Sequence, residues 1–220
     1  SIVVAIRQGR GIFENIRYFV VYLLSCNLSE ILVVAFASFA SLAMPLLPLQ
    51  ILFLNMVTDV FPALALGMNR EAENVMEKPP RRNREPILDR SRWTAVFGYA
   101  LGITIACIAV LLYATRVLHT GPSVANTMTF YTLILAQLWN VFNLTGADVS
   151  FWRNEVTTNR YVWFAIALCL GITVVAYLLP AVREVLNLQR LDGEQYGLIL
   201  AVSLFPVLFV QVLKRLRLLI

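Results

Sequence analysis

Charge is scarce in this sequence. Asp, Glu, Lys and Arg make up 14% of its 220 residues against 59% hydrophobic ones, and the mean hydropathy is +0.73. That leaves too few polar side chains to wet the surface of a water-soluble domain. Metal-type clusters of soft ligands are missing too: there is one histidine, and Cys26, Cys107 and Cys169 stand far apart. Each cysteine falls in a different apolar stretch, so the three read as small packing residues rather than as a disulfide set. No secretory signal is visible. The chain opens on Ser1 and a charged amphipathic stretch with no initiating Met, and reads as a piece of something longer.

What is present in abundance is long apolar runs. Six are long enough to cross a bilayer as helices, at about 18–40, 47–68, 93–115, 125–145, 161–180 and 196–213. The fold class they predict is all-α, a polytopic membrane helical bundle with six transmembrane helices. Residues 1–17 keep a helical spacing of apolar residues but carry Arg7, Arg10, Glu14 and Arg17, which predicts a stalk continuing the first helix into water. Pro45 and Pro48 open the second run, where a missing N–H costs little because the first helical turn leaves its donors unpaired. The first two spans should therefore form a tight helical hairpin.

With six spans, both termini share one side with the loops 69–92 and 146–160. That side collects fifteen of the eighteen Lys and Arg, leaving Arg116, Arg183 and Arg190 opposite. The positive-inside rule then places both termini in the cytosol. The formal net charge of +5 is explained by this topology and by contact with lipid headgroups, and calls for no nucleic-acid partner.

Of thirteen Asp and Glu, only Glu30 and Asp59 lie deep in predicted spans. A carboxylate at the centre of a membrane helix costs about 2.5–3.5 kcal/mol on insertion scales. Asn27 and Glu30 are three apart on the first span, while Asn55, Thr58 and Asp59 are three and four apart on the second, so each set projects from one face. Adjacent antiparallel helices bring such faces together. The inventory is all oxygen, which suits a hard cation, Ca²⁺, Mg²⁺ or Na⁺, rather than zinc or copper. Pro62 has no N–H and its ring presses on the Thr58 carbonyl, so the second helix should loosen beside Asp59 and leave backbone oxygens facing a cavity or an ion. Asn55 and Thr58 taken singly also suit helix-to-helix hydrogen bonding. On the fourth span Gln137 either faces the same cavity or ties helices together, while Asn140 and Asn143 lie nearer the cytosolic end and suit the tying role.

The ordered set CNLSE, FLNMVTDVFPALALG and EKPPRRNREPIL resembles the membrane part of P-type cation pumps, above all calcium pumps of the sarco/endoplasmic reticulum type and their bacterial relatives. The resemblance covers essentially the whole chain. It implies that the six spans are that family's fifth to tenth. It also implies metal ligands at Asn27 and Glu30, at Asn55, Thr58 and Asp59, and at Gln137. The segment Asn69–Arg92 matches the cytosolic loop that couples the phosphorylation domain to the membrane helices. The expected function is cation translocation, Ca²⁺ foremost, as part of an ATP-driven translocase in a bacterial plasma membrane. A Na⁺ or Mg²⁺ pump, or a stand-alone channel or assembly protein, remains the alternative. Proton counter-transport is a further expectation.

Gln137 stands where two-site calcium pumps have a glutamate; single-site plasma-membrane calcium pumps also show a glutamine there, which leaves the ion stoichiometry open. Val60 replaces the glycine that usually comes after the aspartate, so unwinding should rest on Pro62. The short loop from His119 to Ser123 lacks cysteines, as fits a compact bacterial member. The family's DKTGT phosphorylation motif is not in the sequence, nor are its nucleotide-binding and actuator domains or its first four membrane helices. These 220 residues alone are therefore expected not to hydrolyse ATP, with Mg²⁺ and ATP bound only by domains of a parent pump.

Overall fold

A computed structural model describes residues 2–68, 86–145, 154 and 156–219. Among them the regular structure is helical, without strands. α1, Ile2–Phe39, runs unbroken for 38 residues, or about 57 Å at 1.5 Å per residue. A hydrocarbon core of about 30 Å takes only part of that length. The N-terminal part of the helix carries Arg7, Arg10, Glu14 and Arg17 ahead of the apolar stretch.

Residues 40–47 lead to α2, Pro48–Leu54, where proline occupies the first helical position and Gln50 Oε1 accepts the Leu47 N–H at 2.9 Å. The helix then widens into a π segment over Asn55–Asp59 before α3, Val60–Gly67. α4, Arg90–Arg116, starts on Asp89, whose side chain accepts the Arg92 N–H. α5, Pro122–Asn140, ends in a 3₁₀ turn, Val141–Asn143. α6, Arg160–Leu178, is capped by Asn159 and leads into the short α7, Pro180–Val185. The last run is split into α8, Gly193–Ser203, and α9, Phe205–Arg215. Pro206 explains the split, since it has no N–H to give to the Val202 carbonyl four residues back, which the Leu204 N–H approaches instead.

Five helices are long and apolar enough to cross a membrane, namely Ile2–Phe39, Pro48–Gly67, Arg90–Arg116, Arg160–Leu178 and Gly193–Arg215. α5 falls short on composition, because Asn126, Thr127, Thr129, Thr132, Gln137 and Asn140 are all buried along it. It lies at the centre, against α4, α8, α9 and the π segment, while α4 also packs on α1, and α3 on α1 and α6. In lipid, tails are as apolar as leucine, so helices are held by close packing and hydrogen bonds rather than by apolar burial. Gly102 on α4 shows the close packing: a Cβ there would stand 3.0 Å from a Phe209 ring carbon of α9.

Polar side chains staple both ends of the bundle. At one end Gln50 donates to Asn126 Oδ1 at 2.7 Å and to the Leu186 carbonyl at 2.9 Å, and Asn126 donates to Gln50 Oε1 at 3.1 Å and to the Pro45 carbonyl at 3.0 Å. At the other, the buried Lys214 of α9 donates to the Asn143 and Thr145 carbonyls, and Tyr99 of α4 donates to Asn143 O at 3.0 Å. That lysine is a cation at the C-terminal end of α5, where it complements the helix dipole.

Candidate cation site

The six residues singled out in the sequence meet between α1, the π segment and α5. Glu30 is 3% exposed, Asp59 2%, and Thr58 and Gln137 fully buried; Asn27 and Asn55 are half-buried. Gln137 donates from Nε2 to Glu30 Oε1 at 3.1 Å, and its Oε1 accepts from the Thr58 hydroxyl at 3.0 Å. Asn55 Nδ2 reaches Glu30 Oε2 at 3.5 Å and Asn27 Nδ2 reaches Asp59 Oδ2 at 3.1 Å. All three amides thus turn N–H groups toward carboxylates. Asp59 Oδ1 is buried and has no hydrogen-bond partner among the described residues.

A cleft of about 570 Å³ opens beside Asn27, Glu30 and Asn55 and runs along α1 past Val34 and Ser38 to Phe39. Asp59, Thr58 and Gln137 lie behind its wall rather than on it. Among the described residues there is no group of three or more His, Cys, Asp or Glu side chains that could hold a metal. Any ion held here must draw on amide, hydroxyl and backbone oxygens as well as the two carboxylates, which is hard-cation chemistry.

One sequence expectation needs revision and another an addition. The Thr58 carbonyl, expected to face a cavity or an ion, accepts the Tyr22 hydroxyl at 2.8 Å. Cys169, read as a packing residue, also donates its thiol to the Val57 carbonyl at 3.2 Å. Both bonds supply partners to carbonyls displaced where the helix widens, as a buried backbone group requires. Tyr22 was findable: it sits eight residues before Glu30, two turns down the same face of α1. Cys169 gave no local signal.

Asn140 and Asn143 tie helices, as their position suggested. Asn140 donates to Ser25 Oγ at 3.4 Å, Asn143 donates to Asn140 Oδ1 at 3.1 Å, and Gln211 of α9 donates to Asn143 Oδ1 at 3.2 Å. Beyond the bundle, the stalk is pinned to the C-terminal end of α3 and to the start of α4. Asn15 donates to the Gly67 carbonyl and Arg17 to the Pro86 carbonyl, both at 3.2 Å, and Arg92 pairs with Glu14 at 3.5 Å. Most of the expected coupling segment Asn69–Arg92, residues 69–85, lies outside the described residues.

The family profile described as cation transporting ATPase, C-terminus, matches residues 43–216. A calcium-transporting ATPase of Bacillus subtilis (strain 168) is 35% identical over 207 residues, 92% of this chain and 23% of that protein. Calcium-transporting ATPase 1 of Bacillus cereus (strain ATCC 10987 / NRS 248) is 31% identical over 97% of this chain and 26% of its own length. Calcium-transporting ATPase 1 of Lactococcus lactis subsp. lactis (strain IL1403) is 32% identical over 99% of this chain and 24% of its own. The chain spans about a quarter of the length of these curated relatives. With a matched profile over most of its length and a bundle of membrane-long apolar helices, the chain belongs to the cation-transporting ATPase C-terminal family, the membrane domain of P-type calcium-ATPase-type proteins.

Proposed function

We propose that this chain is the cation-translocating part of an ATP-driven pump of a bacterial plasma membrane, that Ca²⁺ is its cargo, and that one ion occupies the site per cycle. The observation that carries the reading is the meeting of six oxygen-bearing side chains, one of them Asp59, whose Oδ1 is buried without a hydrogen-bond partner among the described residues. Glu30 and Asp59 neutralise one divalent ion. Asn27, Asn55 and Gln137 turn their amides over, exchanging N–H for C=O, and Thr58 adds its hydroxyl. Six such oxygens reach the lower coordination number of Ca²⁺. With Gln137 in place of a third carboxylate, the site holds charge for a single divalent ion.

Ion release returns the amide N–H groups to the carboxylates, as they are placed here. The ion and the donors therefore alternate on the same oxygens. Access is through the cleft along α1, which leads to Asn27, Glu30 and Asn55 and suits a further membrane helix of the parent pump. The force comes from the stalk, whose bonds to Gly67, Pro86 and Arg92 would carry a push on α1 to both ends of the segment between α3 and α4. ATP, Mg²⁺ and the phosphorylated residue belong to the other domains of that pump.

Phosphoenzyme formation from ATP, measured against Ca²⁺, Na⁺ and Mg²⁺ in the full-length protein, tests the reading. The expected result is a Ca²⁺-dependent signal that Asp59→Asn abolishes at unchanged expression. A maximal response to Na⁺ with none to Ca²⁺ sinks the calcium assignment. Cation conductance without ATP supports a stand-alone channel instead.

A further inference from the structure

Away from the cation site, α5 forms the floor of a second recess whose walls are α6 and α8. It has a volume of about 210 Å³ and is lined by Ile134 and Leu135 of α5, Leu170 and Thr173 of α6, and Ile199 of α8, with Val174 and Leu200 exposed on its rim. Drug-sized ligands occupy about 300–1,000 Å³, so this slot is narrower, of a size for a single hydrocarbon chain. The recess is not uniformly apolar. Three tyrosines, Tyr131, Tyr177 and Tyr196, gather toward the bundle end where α6 finishes and α8 begins. The rings of Tyr131 and Tyr196 lie 6.4 Å apart. None of the three hydroxyls has a hydrogen-bond partner among the described residues.

Beside this polar end stands Arg183, its guanidinium 5.9 Å from the Tyr177 ring centre. No carboxylate pairs with it among the described residues. Hydroxyl donors and an uncompensated cation at one end, and an apolar slot open sideways to lipid at the other, form the outline of one amphipathic molecule. Interfacial tyrosines alone are ordinary membrane anchors; a recess that continues beneath them is not. We propose that the slot between α5, α6 and α8 holds one acyl chain of an anionic phospholipid, with its phosphate on Arg183 and its glycerol ester region on the tyrosine hydroxyls. The inference is independent of which cation the protein carries.

The test is native mass spectrometry of the purified protein, delipidated in a non-ionic detergent and titrated with palmitoyl-oleoyl phosphatidylglycerol or the matching phosphatidylcholine. The expected result is one tightly retained phosphatidylglycerol. Its apparent affinity should fall about tenfold in Arg183→Gln, the loss of a hydrogen bond to a charged group. Leu200→Trp, filling the slot from its exposed rim, should abolish retention. Both positions lie off the core, and an unchanged melting temperature in lipid-free detergent confirms that the variants fold; Val174→Trp replaces Leu200→Trp if that variant melts early. Equal retention of the two lipids, or retention unaffected by either substitution, overturns the proposal.

Discussion

Tyr22 does more for the proposed cation site than its type suggests. Its hydroxyl is the one described side-chain donor to the Thr58 carbonyl, which Pro62 and the π segment have left without its usual partner. Tyr22→Phe removes one hydroxyl and leaves a buried acceptor unsatisfied, a loss of about 1–3 kcal/mol. The expected outcome is a lower melting temperature, together with a weaker apparent Ca²⁺ affinity because Thr58 and Asp59 lose their fixed placement. Preserved Ca²⁺ affinity in a destabilised variant would make Tyr22 a stabiliser only. At this scale the sequence was informative where chemistry was costly. Glu30 and Asp59 stand out because a membrane interior tolerates few carboxylates, and Gln137 could be placed only as one of two readings. The capping of Val57 by Cys169 joins residues 112 positions apart, so no local pattern carried it, whereas Tyr22, 36 positions from Thr58, at least shares a face of α1 with Glu30.

Among the elements, the helix ends are less tidy than the helix interiors. Ser41, Asn187 and Arg217 all have positive φ, at 51°, 52° and 56°. Each stands just past a helix as its left-handed terminator. After α1 the Leu42 N–H bonds to Ala37 O at 2.9 Å and the Ser41 N–H to Ser38 O at 3.1 Å, the paired bonds of a Schellman ending. Glycine usually fills that position, since a Cβ there costs about 1–2 kcal/mol. Ser41→Gly should therefore stabilise the protein by up to about 1 kcal/mol once the greater freedom of glycine in the unfolded chain is deducted. Thermal unfolding in detergent reads the gain, and a drop in melting temperature refutes it. These ends also mark what the sequence concealed. Apolar runs locate the helices, but the break at Leu204 and the π segment at Asn55–Asp59 are set by prolines acting on the turn before them, which shows in the sequence only as a tendency to loosen.

Across the whole molecule, the two polar staples fix the ends while the proposed cation site sits between them. Gln50 and Asn126 join the α1–α2 connection, α5 and the segment after α7 in one exchange of hydrogen bonds. Either Gln50→Leu or Asn126→Leu strands a buried amide and should cost about 1–3 kcal/mol, whereas the double variant should be much less than additive because both partners become apolar. Additive losses would show that the two residues act separately.

α5 carries a different kind of consequence, which belongs to biosynthesis. Its buried threonine hydroxyls bond back to carbonyls of α5 itself, but the amides of Asn126, Gln137 and Asn140 find their partners on the neighbours that surround it. Fed alone into a bilayer, such a segment meets hydrocarbon on every face, and the insertion scales that favour Leu and Phe disfavour it. α4 precedes it by a loop of a few residues and is long and apolar enough to cross by itself. In a glycosylation-based insertion assay, α5 alone should fail to insert and the α4–α5 pair should succeed. Efficient insertion of isolated α5 would refute this order. The helix nearest the centre of the finished bundle is thus the one that relies on a companion to enter the membrane at all.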